Sequence, residues 1–143
     1  MRTVVAMACF LAFSTAAACS QGPDPSDEAR EDALRIEVEE TLAGLTEAMN
    51  AHDPDAVLGY YRESDEFLYL GCTEVVVGWE PFSRRVAMYY RAFPEVVFEQ
   101  EVVRVQVLSP TVAVAAIRGG STDAEDLFWT DVLVKEDGRW VIA

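Results

Sequence analysis

Midway along this chain the spacing of apolar residues changes from helical to extended, and that change confines the fold to a mixed architecture. Leu34, Val38, Leu42, Leu45 and Met49 recur every three or four residues, with Glu31, Asp32, Glu37, Glu39, Glu40 and Glu47 between them. The spacing predicts one long amphipathic helix, with Ser26 as its N-cap and an acidic first turn suited to the helix dipole. His52-Asp53-Pro54-Asp55 interrupts it and predicts a second, shorter helix through about Arg62, with Asp53 as N-cap and Pro54 at the first helical position. Phe67–Leu70 and Thr73–Val77 are short β-rich runs around Gly71-Cys72, and a third helix is expected from about Glu80 to Ala92. Beyond Pro94 the period becomes two. Val103, Val105 and Val107 alternate with Arg104 and Gln106, Thr111–Ile117 returns after Ser109-Pro110, and Leu127–Lys135 turns at Glu136-Asp137-Gly138 into Arg139–Ala143. This order predicts an α+β domain with helices covering one face of a curved antiparallel sheet.

Residues 1–18 read as an export signal. Arg2 is the only charge, the run from Val4 to Phe13 is apolar, and Thr15-Ala16-Ala17-Ala18 offers small residues for cleavage. A transmembrane span needs roughly 20 apolar residues, which this stretch does not supply. Cys19 directly after Ala18 resembles the lipobox of bacterial lipoproteins, which implies lipidation at Cys19 and a membrane-anchored place in the cell envelope; a soluble periplasmic or secreted form is the alternative. Residues 19–26, with Gly22, Pro23 and Pro25, read as a flexible tether, and 27–143 as one domain.

A net charge of −14 opposes nucleic acid and anionic headgroups, so membrane contact is expected through the lipid anchor only. Cys9 leaves with the signal and Cys19 takes the lipid, so Cys72 alone remains in the domain, as a small apolar residue. With His52 the only histidine and no spaced acidic loop, no metal site and no cofactor are expected. Ser64, Ser83 and Ser109 lack a nucleophile elbow.

The strands carry the remaining signals. Within 127–135, Phe128, Thr130, Val132 and Val134 share a face that reads as core, opposite Trp129, Asp131, Leu133 and Lys135. Trp129 and Asp131 could then form a pocket wall with a polar anchor, a dimer contact or an exposed pair. Thr111–Ile117 is apolar on both faces, which suggests that a second copy covers the outside of the sheet. Tyr61, Tyr69, Trp79, Phe82, Tyr89, Phe93, Trp129 and Asp131 form the candidate pocket, although aromatics at these spacings also fill cores.

Asn50-Ala51-His52-Asp53-Pro54-Asp55-Ala56-Val57, Gly78-Trp79-Glu80 and the hairpin from Thr130 through Asp137-Gly138-Arg139-Trp140 together resemble the SnoaL-like branch of the nuclear transport factor 2-like superfamily. The resemblance implies a cone-shaped sheet wrapped around and covered by three helices, and a homodimer formed through the sheet. Its members include isomerases, cyclases and pockets without assigned ligands, so fold alone does not select a function. The expected function is binding of a small apolar or amphipathic ligand, or of a partner, inside the cone. The alternatives are an isomerase or cyclase using a tyrosine (Tyr60, Tyr61 or Tyr69) with Asp126 or Asp131, and a non-catalytic structural dimer module.

Overall fold

The computed structural model describes residues 25–71, 74–122 and 124–143, with the side chains of 124–126 left out. The expected signal, Cys19, most of the tether, Cys72 and the Asp126 side chain therefore lie outside the described residues. Helix α1 runs from Pro25 to Asn50, so Ser26 sits within its first turn instead of capping it. Its apolar stripe is the one the spacing predicts: Val38, Leu42 and Leu45 are fully buried, with Leu34 and Met49 packed at the margins. The end of α1 is fixed to the sheet, because the Asn50 amide donates to the Phe98 carbonyl at 3.0 Å and accepts from the Phe98 N–H at 2.7 Å.

Helix α2 (Pro54–Leu58) starts as expected, with the Asp53 carboxylate accepting from the N–H groups of Asp55 and Ala56 at 3.1 and 3.0 Å. It stops short of Arg62, and the reason is non-local. The backbone from Tyr60 to Arg62 runs alongside the last strand instead, where Arg62 N–H donates to the Ile142 carbonyl at 2.7 Å and Ile142 N–H donates to the Tyr60 carbonyl at 2.9 Å. Strands β1 (Leu68–Leu70) and β2 (Val75–Val77) pair with each other as an antiparallel two-stranded sheet. Gly78, at φ +89°, then makes the turn into helix α3 (Trp79–Ala92), where a side chain would be strained.

Strands β3 (Phe98–Ser109), β4 (Val112–Ser121), β5 (Ala124–Glu136) and β6 (Arg139–Ile142) form an antiparallel sheet in that order. A register shift between Val102 and Arg104 breaks the expected alternation of β3. Val105 is buried and Val107 half-buried on the inner face, whereas Val103 is 56% exposed on the other side of the shift. The β5–β6 turn places Asp137 at φ 51° and Gly138 at φ 79°, the conformation that Asp-Gly favours in a two-residue hairpin.

The faces of β5 are the reverse of the sequence expectation. Phe128 is 76% exposed, Val132 45% exposed and Thr130 exposed, while Leu133 is fully buried and Trp129 and Asp131 are half-buried on its side of the strand. Register decides this. Trp129, Asp131 and Leu133 pair with Ile117, Ala115 and Ala113, whose small or branched side chains form the floor against which α1 packs. A face carrying Phe and Val looks more apolar in sequence than one carrying Asp and Lys, but α1 lies over the latter. Burial of Leu42, Leu45 and Leu133 there contributes about 2 kcal/mol each.

Candidate functional site

The candidate residues fall into three groups. Tyr61, Tyr69, Trp79 and Phe82 come together around Phe82, with ring centroids 4.8, 5.6 and 6.2 Å from it; Phe67, absent from the sequence-derived set, lies nearer still at 4.6 Å. Phe82 is 2% exposed, so this cluster is packed core at its centre. Tyr89 and Phe93 belong elsewhere: they stack with each other at 5.0 Å, and Tyr89 reaches Phe98 at 6.0 Å, at the end of α3. Trp129 and Asp131 form the third group, on the inner face of β5.

Asp131 is the chemically unusual member. It is half-buried, and the single hydrogen bond it accepts among the described residues comes from Trp129 Nε1 at a long 3.4 Å. No cation among the described residues pairs with it. Burial drives its pKa up to about 6, and the Trp129 hydrogen bond offsets part of that rise. Tyr61 stands nearby. Its ring is edge-on to Phe67 at 5.9 Å, and its hydroxyl makes no hydrogen bond among the described residues. Burial holds that hydroxyl protonated well above the usual phenol range; the Asp131 charge, Tyr69 and Tyr90 push further and Arg85 opposes them. Tyr90, one position on from the candidate Tyr89, is the tyrosine of α3 whose charge raises Tyr61, and burial, with Tyr89 adding to it, raises Tyr90 itself to about 12. The helical spacing admits either tyrosine; which of them turns inward depends on the tilt of α3.

Two residues without a signal strong enough to be singled out in sequence shape this region. Gly119 lies where a Cβ would come within 2.3 Å of the Glu99 carbonyl and 2.9 Å of the Trp129 indole, so its missing side chain lets that indole lie across β4. The Gly119-Gly120 pair at the end of an apolar strand was the available signal. Arg85 of α3 is the second: its guanidinium lies 4.8 Å over the Tyr69 ring, and its Nε bonds Glu74 at 2.5 Å.

Several candidates have structural work. His52 Nε2 lies 2.6 Å from the Val96 carbonyl at a residue held at φ 55°. Ser64 accepts from the Glu66 N–H and Ser83 donates to the Glu80 carbonyl, both at 3.1 Å. Tyr60 packs over Gly44 on α1. Among the described residues no group of three or more His, Cys, Asp or Glu side chains could hold a metal ion, and no helix is long and apolar enough to cross a membrane.

The geometry of helices and sheet has relatives. A nuclear transport factor 2-like protein of unknown function from Shewanella oneidensis superposes with a TM-score of 0.65 at 23% identity, covering 75% of this chain and 92% of that one. A protein of unknown function with a cystatin-like fold from Nostoc punctiforme gives 0.61 at 15% identity, over 75% and 84%. An uncharacterised cystatin-like protein from Caulobacter vibrioides gives 0.62 at 12%, over 75% and 82%. At these identities the likeness establishes fold alone, and no curated protein sequence matches. The SnoaL-like domain model matches residues 38–143, from the first buried valine of α1 to the end of β6. The chain therefore belongs to the SnoaL-like domain family and has its nuclear transport factor 2-like α+β fold.

Proposed function

We propose that the inner face of the sheet binds a small amphipathic ligand, with Asp131 as its polar anchor and the tyrosines and Trp129 as its apolar surroundings. One observation carries this reading: a half-buried carboxylate whose sole hydrogen bond among the described residues is 3.4 Å long. Burying a carboxylate is costly unless it is paired and hydrogen-bonded, and a ligand hydroxyl or amine would supply the missing donor. A purely structural core gains nothing from an aspartate at this position. The expected anchor at Cys19 and an envelope location belong to the same proposal and rest on residues 1–19. So does a homodimer through the outer face of the sheet, supported by the exposure of Val103, Phe128 and Val132 there.

Native mass spectrometry of the full-length protein is the test. Extra mass that disappears on denaturation, and that Asp131→Leu prevents, is the expected result; a ligand-free spectrum for both would sink the reading.

A second reading has its own support. A carboxylate held near neutrality beside a tyrosine that stays protonated is also what proton transfer requires, with Asp131 as base and Tyr61 as donor. Asp131→Asn separates the two once a ligand is known. It would leave a binder functional but weakened, and would abolish turnover while retaining affinity in an enzyme.

A further inference from the structure

A second concavity lies outside the inner face of the sheet. An open groove of about 570 Å³ runs between α2, the start of α3 and the β5–β6 hairpin. Its apolar surface comes from Leu58, Trp79, Val141 and the half-buried Tyr61. Its walls are tied to the rest of the fold through the backbone. The backbone of Tyr60 and Arg62 is bonded on to Ile142, and the Asp137-Gly138 turn holds the hairpin in a single two-residue conformation.

The charge along the rim is uneven. Asp55, Glu63 and Asp137 make no ion pair among the described residues, whereas Glu136 is neutralised by Arg62 at 2.9 Å. Arg139 is the only cation in the groove lining among the described residues. Three uncompensated carboxylates against one guanidinium, above an indole and two aliphatic side chains, leave a concave surface that is both negative and apolar. Tyr61 adds a hydroxyl that makes no hydrogen bond among the described residues.

We infer that this groove is a binding site for a small organic cation, an ammonium group carried on an aromatic or aliphatic body. The body is held on Leu58, Trp79 and Val141 and the ammonium faces Asp55, Glu63 and Asp137. An indole face also attracts a cation directly. The net charge of −14 gives such ligands a long-range attraction to the molecule and repels anions of the same shape. The site does not depend on Asp131 and stands whether or not the inner face binds a ligand.

Benzyltrimethylammonium chloride added to the full-length protein, followed by amide and indole NMR shifts, tests this. Shifts are expected at Leu58, Gly59, Val141 and the Trp79 indole N–H, weakening roughly fivefold from low to high salt as the carboxylates are screened. The triple variant Asp55→Asn, Glu63→Gln, Asp137→Asn should bind roughly tenfold more weakly. These side chains are exposed and Asn suits the positive φ of position 137, so the variant keeps the fold. Unchanged affinity in the triple variant, no shifts in the groove, or equal shifts with sodium benzoate would each overturn the assignment.

Discussion

Two carboxylates on the inner side of this molecule each face a tryptophan N–H, and they have opposite fates. Glu37 of α1 accepts from Trp140 Nε1 at 2.9 Å and from Lys135 Nζ, whose ammonium also lies 5.6 Å from the Trp140 ring centroid. The Lys135 and Trp140 hydrogen bonds hold its pKa below the usual carboxylate range. Asp131 accepts from Trp129 at 3.4 Å, has no cation, and is pushed up to about 6. The first region fastens α1 to β5 and β6. The second is left wanting a partner. The contrast shows that a tryptophan neighbour does not decide what a carboxylate does; the depth of its burial and the presence of a cation do.

The largest effect that would break this comparison concerns Asp131. Its folded pKa lies above the unfolded value of about 3.9, so the native state binds the extra proton, and stability falls as pH rises from about 4 to about 6. A rise from about 4 to about 6 corresponds to about 3 kcal/mol at neutral pH. Asp131→Asn should therefore stabilise the ligand-free protein by about 2 to 3 kcal/mol at pH 7 and hardly at all at pH 4, as read by urea unfolding at both. A gain independent of pH would remove Asp131 from the contrast.

Gly119→Ala comes next. The added Cβ would meet the Glu99 backbone and the Trp129 indole, costing about 2 kcal/mol and lifting Trp129 from Asp131. Trp129 fluorescence should change along with stability, and a loss of stability without that change would detach Gly119 from the Asp131 site. Lys135→Met sharpens the other side of the comparison. Glu37 is about half exposed, so the loss should be about 1 kcal/mol or less at pH 7. Because the Glu37 pKa is depressed, its contribution is fully present above the ordinary glutamate value and fades as pH falls below that, opposite in sign to Asp131. Thermal melts of Lys135→Met and the parent should converge in acid. The smallest effect is expected from Phe128→Ser on the outer face, within about 0.5 kcal/mol for the monomer. Sedimentation should nonetheless show it shifting a dimer towards monomer, and an unchanged dimer would place the interface elsewhere.

How far the fold can be read from the sequence depends on whether the deciding forces are local. Asp53-Pro54 caps α2 through its own neighbours, and Asp137-Gly138 turns through its own backbone angles, so both are legible. The stripe on α1 is legible because one face of one helix meets one core. The end of α2 is not, because Ile142 draws Tyr60–Arg62 out of the helix from the far end of the chain. Nor are the faces of β5, where pairing with Ala113, Ala115 and Ile117 overrides a count of apolar side chains. At the site, Asp131 and Tyr61 can be named, but their juxtaposition cannot, since it joins β5 to the segment after α2, far apart in sequence. Arg85 and Gly119 escape because an arginine on a helix and a glycine in a strand have bland explanations in sequence.

The pairing of Ile142 with Tyr60 and Arg62 also bears on how the molecule comes to be folded. Contacts of such long sequence separation carry a large loop-closure cost and form late. A chain emerging from the ribosome can shape α1 and the β3–β4 hairpin early, but these bonds wait for residue 142. Until then Tyr61 has no partner strand. Strand β6 thus acts as the fastening of the domain, because the backbone of Tyr60 and Arg62 finds its partners there.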